Sequence, residues 1–205
     1  VRGVRSASCR SRGFLVALAL AAQAVAPMRD ADANVEVGGV RFSPVIPTAT
    51  SELALHGAAV LRYRGLIRAY AAALYLAPGM DGERALDDVP KRLELEYFWK
   101  IEGADFGRAA DTLLARTLSA SRLATLRDRL ADLHAHYEDV APGDRYALTY
   151  LPGVGTELSK NGRRLAVIAG SDFAAAYFSM WLGDDPIDAG LRDELRNGLS
   201  GRALN

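Results

Sequence analysis

Arginine and tyrosine residues are concentrated between positions 62 and 70. The members are Arg62, Tyr63, Arg64, Arg68 and Tyr70. Side chains on a strand alternate between its faces, so the three arginines and Tyr70 share one side if the register holds through Gly65. A guanidinium group binds an anion through forked hydrogen bonds. One such arginine beneath an apolar layer would form a site for an amphiphilic acid or a phenolate.

The same residues have a structural interpretation. A basic edge strand is solvated and protects a sheet from pairing with other chains. The two interpretations differ in whether a guanidinium lies under the helices or faces water.

Other catalytic patterns find little support. The chain has no GxSxG nucleophile elbow, and Gly153-Val154-Gly155 lies in a predicted hairpin rather than between a strand and a helix. His134 and His136 suggest a metal pair, but residues two apart on a helix point about 200° from each other. We therefore expect a solvated helix end there, with no metal site and no cofactor.

Alternating patterns predict the strands that position these residues. Residues 35–42 indicate an edge strand, and residues 61–76 indicate one long strand or two strands around a bulge at Gly65. Residues 92–100 show the cleanest alternation, with Leu93, Leu95, Tyr97 and Trp99 on one face. Three further strands are predicted at 144–151, 156–160 and 163–169, with Asn161-Gly162 as a hairpin turn.

Apolar residues at helical spacing predict the helices that cover the sheet. An apolar stripe runs from Phe106 to Leu118, and Ser121 is the expected cap of a second helix. Two more helices are predicted at 173–182, capped by Ser171 or Asp172, and from Asp188 to Asn197. This order favours an α+β fold with an antiparallel sheet on one side and helices on the other.

The first 33 residues have the pattern of an export signal. Four arginines precede the uncharged run 13–26, which is shorter than the roughly 20 residues that span a bilayer. Small-x-small cleavage patterns occur at 22–24 and 31–33, and we favour the second; a buried N-terminal helix is the alternative. The expected organisation is a signal peptide at 1–33 and one domain at 34–205, in the periplasm or secreted. Cys9, the single cysteine, would be removed with the signal.

Charge excludes some partners. Residues from Asn34 onward hold 20 basic and 23 acidic side chains. Nucleic-acid binders need a basic surface to neutralise phosphates. We expect no nucleic-acid partner and no integral membrane span, and the sequence leaves the oligomeric state open.

Four segments together resemble the chalcone isomerase family, in particular its exported bacterial chalcone isomerase-like members. They are GAAVLRYRGLIRAYAAALYL at 57–76, EYFWKIEGADFGRAADTLL at 96–114, PGDRYALTYLPGVGTELSKNGR at 142–163 and FAAAYFSMWLGDDPIDAGLRDELRNGL at 173–199. The resemblance implies an open-faced β-sandwich, in which a large antiparallel sheet is covered by helices with the ligand cleft between them. It also implies cofactor-free intramolecular addition of a phenolate to an enone.

The resemblance places four functional positions on this chain. The family's arginine falls on Arg62, its threonine on Tyr70, its tyrosine on Phe106 and its asparagine on Leu113. Two of the four polar groups are thus replaced by apolar side chains, which cannot donate hydrogen bonds. Loss of one preorganised donor typically lowers a rate by about 10²- to 10³-fold.

These replacements favour binding over catalysis. An arginine head site with Phe106 and Leu113 in the apolar lining would hold a small amphipathic acid such as a fatty acid. The ligand-binding residues expected are Arg62, Arg64, Arg68, Tyr70, Phe106 and Leu113. The alternatives are a cofactor-independent isomerase in which Tyr70 supplies the missing hydroxyl, and an interaction module whose core is filled by its own side chains.

Overall fold

The structure, a computed structural model, describes residues 34–63 and 66–199 together with Gly3. The fold lies within the unit Ala31–Asn205. The segment predicted to be an export signal, residues 1–33, lies outside the described residues apart from Gly3.

Seven strands form one antiparallel sheet in which each strand pairs with the next along the chain. In order they are β3 (Val45–Pro47), β4 (Glu52–Tyr63), β5 (Ile67–Leu76), β6 (Lys91–Tyr97), β7 (Arg145–Leu151), β8 (Gly155–Lys160) and β9 (Arg163–Ile168), after a separate two-stranded hairpin of β1 (Val35–Val37) and β2 (Val40–Phe42). Short turns follow β3, β4, β7 and β8 and favour antiparallel neighbours, whereas longer connections follow β5 and β6, the latter including two helices.

Turns account for the differences from the predicted strands. The expectation of one strand over 35–42 is wrong, because Gly38 and Gly39 both have positive φ and reverse the chain. Residues 61–76 form the end of β4 and all of β5, paired as a hairpin rather than as one strand. The Asn161-Gly162 turn is confirmed, with φ of 50° and 80°, as a type I′ turn requires.

Four α-helices follow the strand clusters. They are α1 (Gly103–Thr117), α2 (Ala120–Ala135), α3 (Ser171–Leu182) and α4 (Ala189–Arg196); a short 3₁₀ helix spans Gly82–Arg84. Ser119, not Ser121, caps α2 by accepting a hydrogen bond from the Arg122 amide at 3.2 Å. Gly170 stands at the α3 cap position in place of Ser171 or Asp172, whereas the predicted Asp188 cap of α4 is confirmed.

Helices cover one face of the sheet and build the main core there. Buried leucines of β6 meet the apolar stripes of α1, α2 and α3. The opposite face packs against the hairpin of β1 and β2 through Phe42, Leu53 and Tyr75. This arrangement confirms the predicted α+β class, a large curled antiparallel sheet with a helical layer.

Close contact fixes α4 on β4. A Cβ atom at Gly57 would lie 2.3 Å from the carbonyl oxygen of Leu195. Glycine therefore allows the two backbones to approach. No helix among the described residues is long and apolar enough to cross a membrane.

Candidate functional site

A cavity of about 280 Å³ lies between the sheet and the helices. The sheet contributes leucines of β6, β7 and β8, and α1 and α3 contribute the opposite wall. Its lining residues are Leu61, Ala69, Tyr70, Leu93, Leu95, Tyr97, Ile101, Asp105, Phe106, Ala109, Ala110, Leu113, Tyr137, Tyr146, Leu148, Leu158, Tyr177, Met180, Trp181 and Ile187.

Local periodicity explains why these residues face inward. On β6, Leu93, Leu95 and Tyr97 are two apart, so they share the face beneath the helices. On α1, Phe106, Ala110 and Leu113 follow the helical spacing and face the same space. Ala109 and Ile187 line the cavity and are also exposed, so the cavity opens to solvent beside them.

Tyr97 lies at the centre of an aromatic cluster on this wall. Its ring centroid is 5.6 Å from Tyr70, 5.4 Å from Phe106 and 6.2 Å from Tyr146, each pair edge to face. Phe106 also stacks on Tyr137 at 5.0 Å. Such edge-to-face pairs add about 0.5–1.5 kcal/mol beyond their buried area. The cluster holds its hydroxyl groups in fixed positions around the cavity.

The tyrosine hydroxyls differ in how far they are already hydrogen-bonded. Tyr146 accepts from the Glu138 amide and donates to its carbonyl oxygen, both at 2.8 Å, so it is fully engaged. Tyr70 accepts from Trp181 Nε1 at 3.0 Å, which leaves its own proton without an acceptor. The Tyr97 hydroxyl has no hydrogen-bond partner among the described residues, although Tyr97 is only 4% exposed.

Tyr137 and Tyr177 form a further pair. Their hydroxyl oxygens lie 2.9 Å apart, and one of the two donates to the other. A phenol carries one proton, so one of these two protons also has no acceptor in the pair. Three hydroxyl protons near the cavity are therefore available to a ligand.

These phenols stay protonated at ordinary pH. Burial raises the pKa of Tyr97 and of Tyr177 well above the usual value for tyrosine, and it raises the pKa of Tyr70 and of Tyr137 in the same direction. For Tyr146, burial is again the main cause and raises the pKa to about 12. The cavity therefore offers neutral hydrogen-bond donors rather than phenolates.

Charge is nearly absent from the lining. Asp105 is the charged side chain among the described residues that line the cavity. It forms an ion pair with Arg108, one turn further along α1, and side-chain exposure is 48% for Asp105 and 67% for Arg108. This pair lies at the solvent side of the cavity.

The structure brings together three of the six predicted ligand-binding residues. Tyr70, Phe106 and Leu113 all line the cavity. Arg62 does not; it is exposed and borders a shallow depression with Val37, Gly38 and Val60. Arg64 lies outside the described residues.

Arg68 is also away from the cavity. Its Nη1 donates to the Gly38 carbonyl oxygen at 2.8 Å, and its guanidinium lies 4.6 Å above the Phe98 ring. Phe98 packs with the core on the sheet face opposite the helices. Arg68 and Tyr70 therefore face opposite sides of the sheet.

A register shift explains this difference from the sequence expectation. Leu61 pairs with Tyr70, but Arg62 pairs with Arg68, so Ala69 is an extra residue on β5. A bulge of this kind breaks the two-residue alternation on which the prediction depended. The expectation that Arg62 lies beneath the helices is not met.

Sequence reasoning missed most of the aromatic cluster. The alternation of β6 placed Tyr97 on a buried face, and that signal could have identified it. Tyr137 lies just after α2 in the segment LHAHYED, in which the sequence suggested only a metal pair of His134 and His136. Those histidines face different carboxylates, since His134 Nδ1 is 3.7 Å from Asp111 and His136 Nδ1 is 3.7 Å from Asp132.

Comparison with known proteins identifies the family of the chain and agrees with its fold. The family model described as chalcone isomerase-like matches residues 34–196, and the chain belongs to that family. A crystal structure of a fatty-acid binding protein from Arabidopsis thaliana is similar in fold, with a TM-score of 0.59 over 78% of this chain and 92% of that chain. Sequence identity to it is 14%, so the likeness concerns the fold alone. No curated protein matches the chain.

Proposed function

We propose that this protein binds a small amphipathic ligand, such as a fatty acid, in the cavity between sheet and helices, and that it does so without catalysis. The observation that carries the proposal is an apolar cavity lined by leucines and aromatic rings, with a few hydroxyl groups. Ligand sites typically combine an apolar lining with a few placed polar groups. The similar Arabidopsis structure is described as a fatty-acid binding protein, which supports the same ligand class.

Cavity size indicates the length of the ligand. An apolar cavity of about 150 Å³ holds one benzene molecule. A cavity of 280 Å³ has room for roughly twice as many carbon atoms, about a dozen. We therefore expect medium-chain ligands to fit best.

Absence of a cation argues against isomerisation. Addition of a phenolate needs a positive charge beside it, and the described lining residues include none. The position of Tyr70 favours an isomerase, because its hydroxyl lies at the cavity and the hydroxyl proton has no acceptor among the described residues. We expect loss of chalcone absorbance no faster than background for the wild type and for Tyr70→Phe. A wild-type rate above background that Tyr70→Phe abolishes would establish the isomerase instead.

A bulky side chain at the opening tests the binding site. Ala109 lines the cavity and is exposed on α1, so Ala109→Trp obstructs the opening without disturbing the buried core. Ala115 is exposed on the same helix and does not line the cavity, which makes Ala115→Trp the matched control. We expect a panel of twelve-carbon acids, alcohols and ketones to raise the melting temperature of the wild type and of Ala115→Trp, but not of Ala109→Trp.

Two results would contradict the proposal. One is a wild-type melting temperature that no member of the panel raises. The other is a shift that survives in Ala109→Trp, which would place the ligand elsewhere.

Export is a separate part of the proposal. The arginine-rich start and the apolar run within residues 1–33 support a signal peptide and a periplasmic or secreted protein. Expression of the whole chain in a bacterial host, followed by mass spectrometry of the periplasmic fraction, should give a protein that begins at Asn34. Full-length chain confined to the cytoplasm would contradict export.

A further inference from the structure

We infer that the tyrosine hydroxyls of the cavity select a ligand whose polar group is uncharged and accepts hydrogen bonds, such as a ketone, an ester or a protonated carboxylic acid. This inference rests on the proposed binding function and specifies the chemical class of the ligand. It follows from which hydrogen-bonding positions the protein leaves unused, and from the charges around them.

The hydrogen-bonding groups of the cavity that have no partner are donors. Tyr97 has no partner among the described residues, and the proton of Tyr70 is unused because indole Nε1 of Trp181 can only donate to it. Tyr97 and Tyr70 lie on adjacent strands with ring centroids 5.6 Å apart. One carbonyl oxygen has two lone pairs and can accept from both hydroxyls.

Buried donors without acceptors are unfavourable. A hydroxyl that loses water and finds no partner costs about 1–3 kcal/mol. A ligand that supplies an acceptor at Tyr97 removes this cost, and an alkane of the same length does not. The polar group of the ligand is therefore expected at Tyr97, and its chain along the leucines of the sheet.

Surrounding charge disfavours an anion at this position. The titratable groups around the cluster come from every element packed on it, and none is a cation among the described lining residues. They are Tyr70 on β5, Tyr97 on β6, Asp105 on α1, Tyr137 after α2, Tyr146 on β7 and Tyr177 on α3, with Asp111 acting on Tyr177 and Asp188 on Tyr70 from further away. His134 on α2 also contacts this cluster, with its ring centroid 6.4 Å from Tyr137 and 6.2 Å from Tyr177, and burial lowers its pKa, so it is neutral at pH 7.5. Arg108 is paired with Asp105 on the solvent side of the cavity.

A carboxylate would consequently be desolvated near carboxylates and without a counter-ion. Burial of an unpaired charge costs more than burial of the neutral form, so a bound acid is protonated first. At pH 7.5 a free carboxyl group with a pKa near 4.5 is about a thousandfold more often ionised than neutral. Neutral ligands should therefore bind better than acids of the same length.

Two ligands of equal chain length test the inference directly. We would measure the dissociation constants of 2-dodecanone and dodecanoate at pH 7.5 for the wild type, Tyr97→Phe and Tyr75→Phe. Tyr75 is the matched control, because it is a buried tyrosine with an unpartnered hydroxyl on the opposite face of the sheet. We expect the ketone to bind at least tenfold more tightly than dodecanoate to the wild type.

Removal of the Tyr97 hydroxyl should weaken this preference. One hydrogen bond of ordinary strength corresponds to roughly a 2- to 10-fold change in dissociation constant. Tyr97→Phe should weaken ketone binding by that factor, and Tyr75→Phe should leave it unchanged. Circular dichroism and melting temperature would establish that each variant is folded before binding is compared.

The remaining outcomes separate the two proposals. Dodecanoate that binds more tightly than the ketone would overturn this inference and leave the proposed binding function in place. Ketone binding unchanged by Tyr97→Phe would also overturn it. Failure of both ligands to bind the wild type would overturn the binding function and this inference together.

Discussion

The indole Nε1 of Trp181 donates a hydrogen bond to the hydroxyl oxygen of Tyr70 at 3.0 Å, and this bond joins α3 to β5 of the sheet. Both residues are buried, with 9% and 7% of their surface exposed. The bond therefore contributes to stability as well as to the geometry of the cavity.

Replacement of Tyr70 by phenylalanine leaves the Trp181 indole without an acceptor. An unsatisfied buried donor costs about 1–3 kcal/mol, so Tyr70→Phe should lower the free energy of unfolding by that amount. Tyr75→Phe removes a hydroxyl that has no partner and should not destabilise the protein. Urea denaturation of both variants measures the difference, and equal midpoints would contradict the prediction.

Gly57→Ala should loosen the contact between β4 and α4. The new Cβ would lie 2.3 Å from the Leu195 carbonyl oxygen and 2.7 Å from that of Glu194, and both neighbours are backbone atoms. Overpacking of this kind typically costs about 1–3 kcal/mol, and here the helix itself must move. We expect a lower urea midpoint and faster hydrogen exchange in α4. A midpoint equal to that of the wild type would show that α4 shifts without cost.

Asp172 should make stability depend on acid pH. Arg129 donates to its two carboxylate oxygens at 2.7 Å each, and this hydrogen bonding lowers the pKa of Asp172 to about 2. A depressed pKa stabilises the folded protein above the unfolded value of about 3.9, and this contribution is lost as pH falls towards 2.

The variant Asp172→Asn isolates this effect. It should be less stable than the wild type at pH 6, and the difference should shrink between pH 4 and pH 2. The pair is partly exposed, so the difference is expected to be modest and to decrease in high salt. Melting temperatures across this pH range measure it. A difference that stays constant with pH would mean that Asp172 acts through packing rather than charge.

Arg62→Ala should leave ligand binding unchanged. Arg62 is exposed and the cavity lining does not include it. Dissociation constants for 2-dodecanone should agree with the wild type within about twofold, a difference under roughly 0.4 kcal/mol. Arg68→Ala should also leave the dissociation constant unchanged, since the Arg68 guanidinium packs on Phe98 rather than in the cavity. Loss of binding in either variant would return the site to the arginines expected from the sequence.

Sequence patterns predicted the fold well because burial repeats with the geometry of each element. The alternation of residues 92–100 identified β6, and the stripe that begins at Phe106 identified α1. Boundaries were less accurate where glycines or capping residues decided them. Gly38 and Gly39 divide the first strand, and Ser119 precedes the expected cap of α2 by two residues.

The sequence pattern likewise predicted the position of some candidate site residues and not of others. Phe106 and Leu113 lie where the helical period placed them, and Tyr70 lies inward as the family resemblance implied. Arg68 lies elsewhere because one extra residue, Ala69, changes which face β5 presents, and Arg62 faces away because it follows Leu61, which lines the cavity, on β4. Propensity and periodicity do not reveal an insertion of one residue between paired strands.

The sequence by itself determined the layers of this protein, since hydrophobic period alone selects which side of each strand and helix is buried. Tertiary structure decided the chemistry of the cavity. Tyr70, Tyr97, Tyr137 and Tyr177 come from distant parts of the chain, and only their packing fixes which hydroxyls bond to each other and which remain free. Hydrogen-bond partners depend on distances of about 3 Å. Strand pairing and helix docking set these distances, and the local sequence pattern does not.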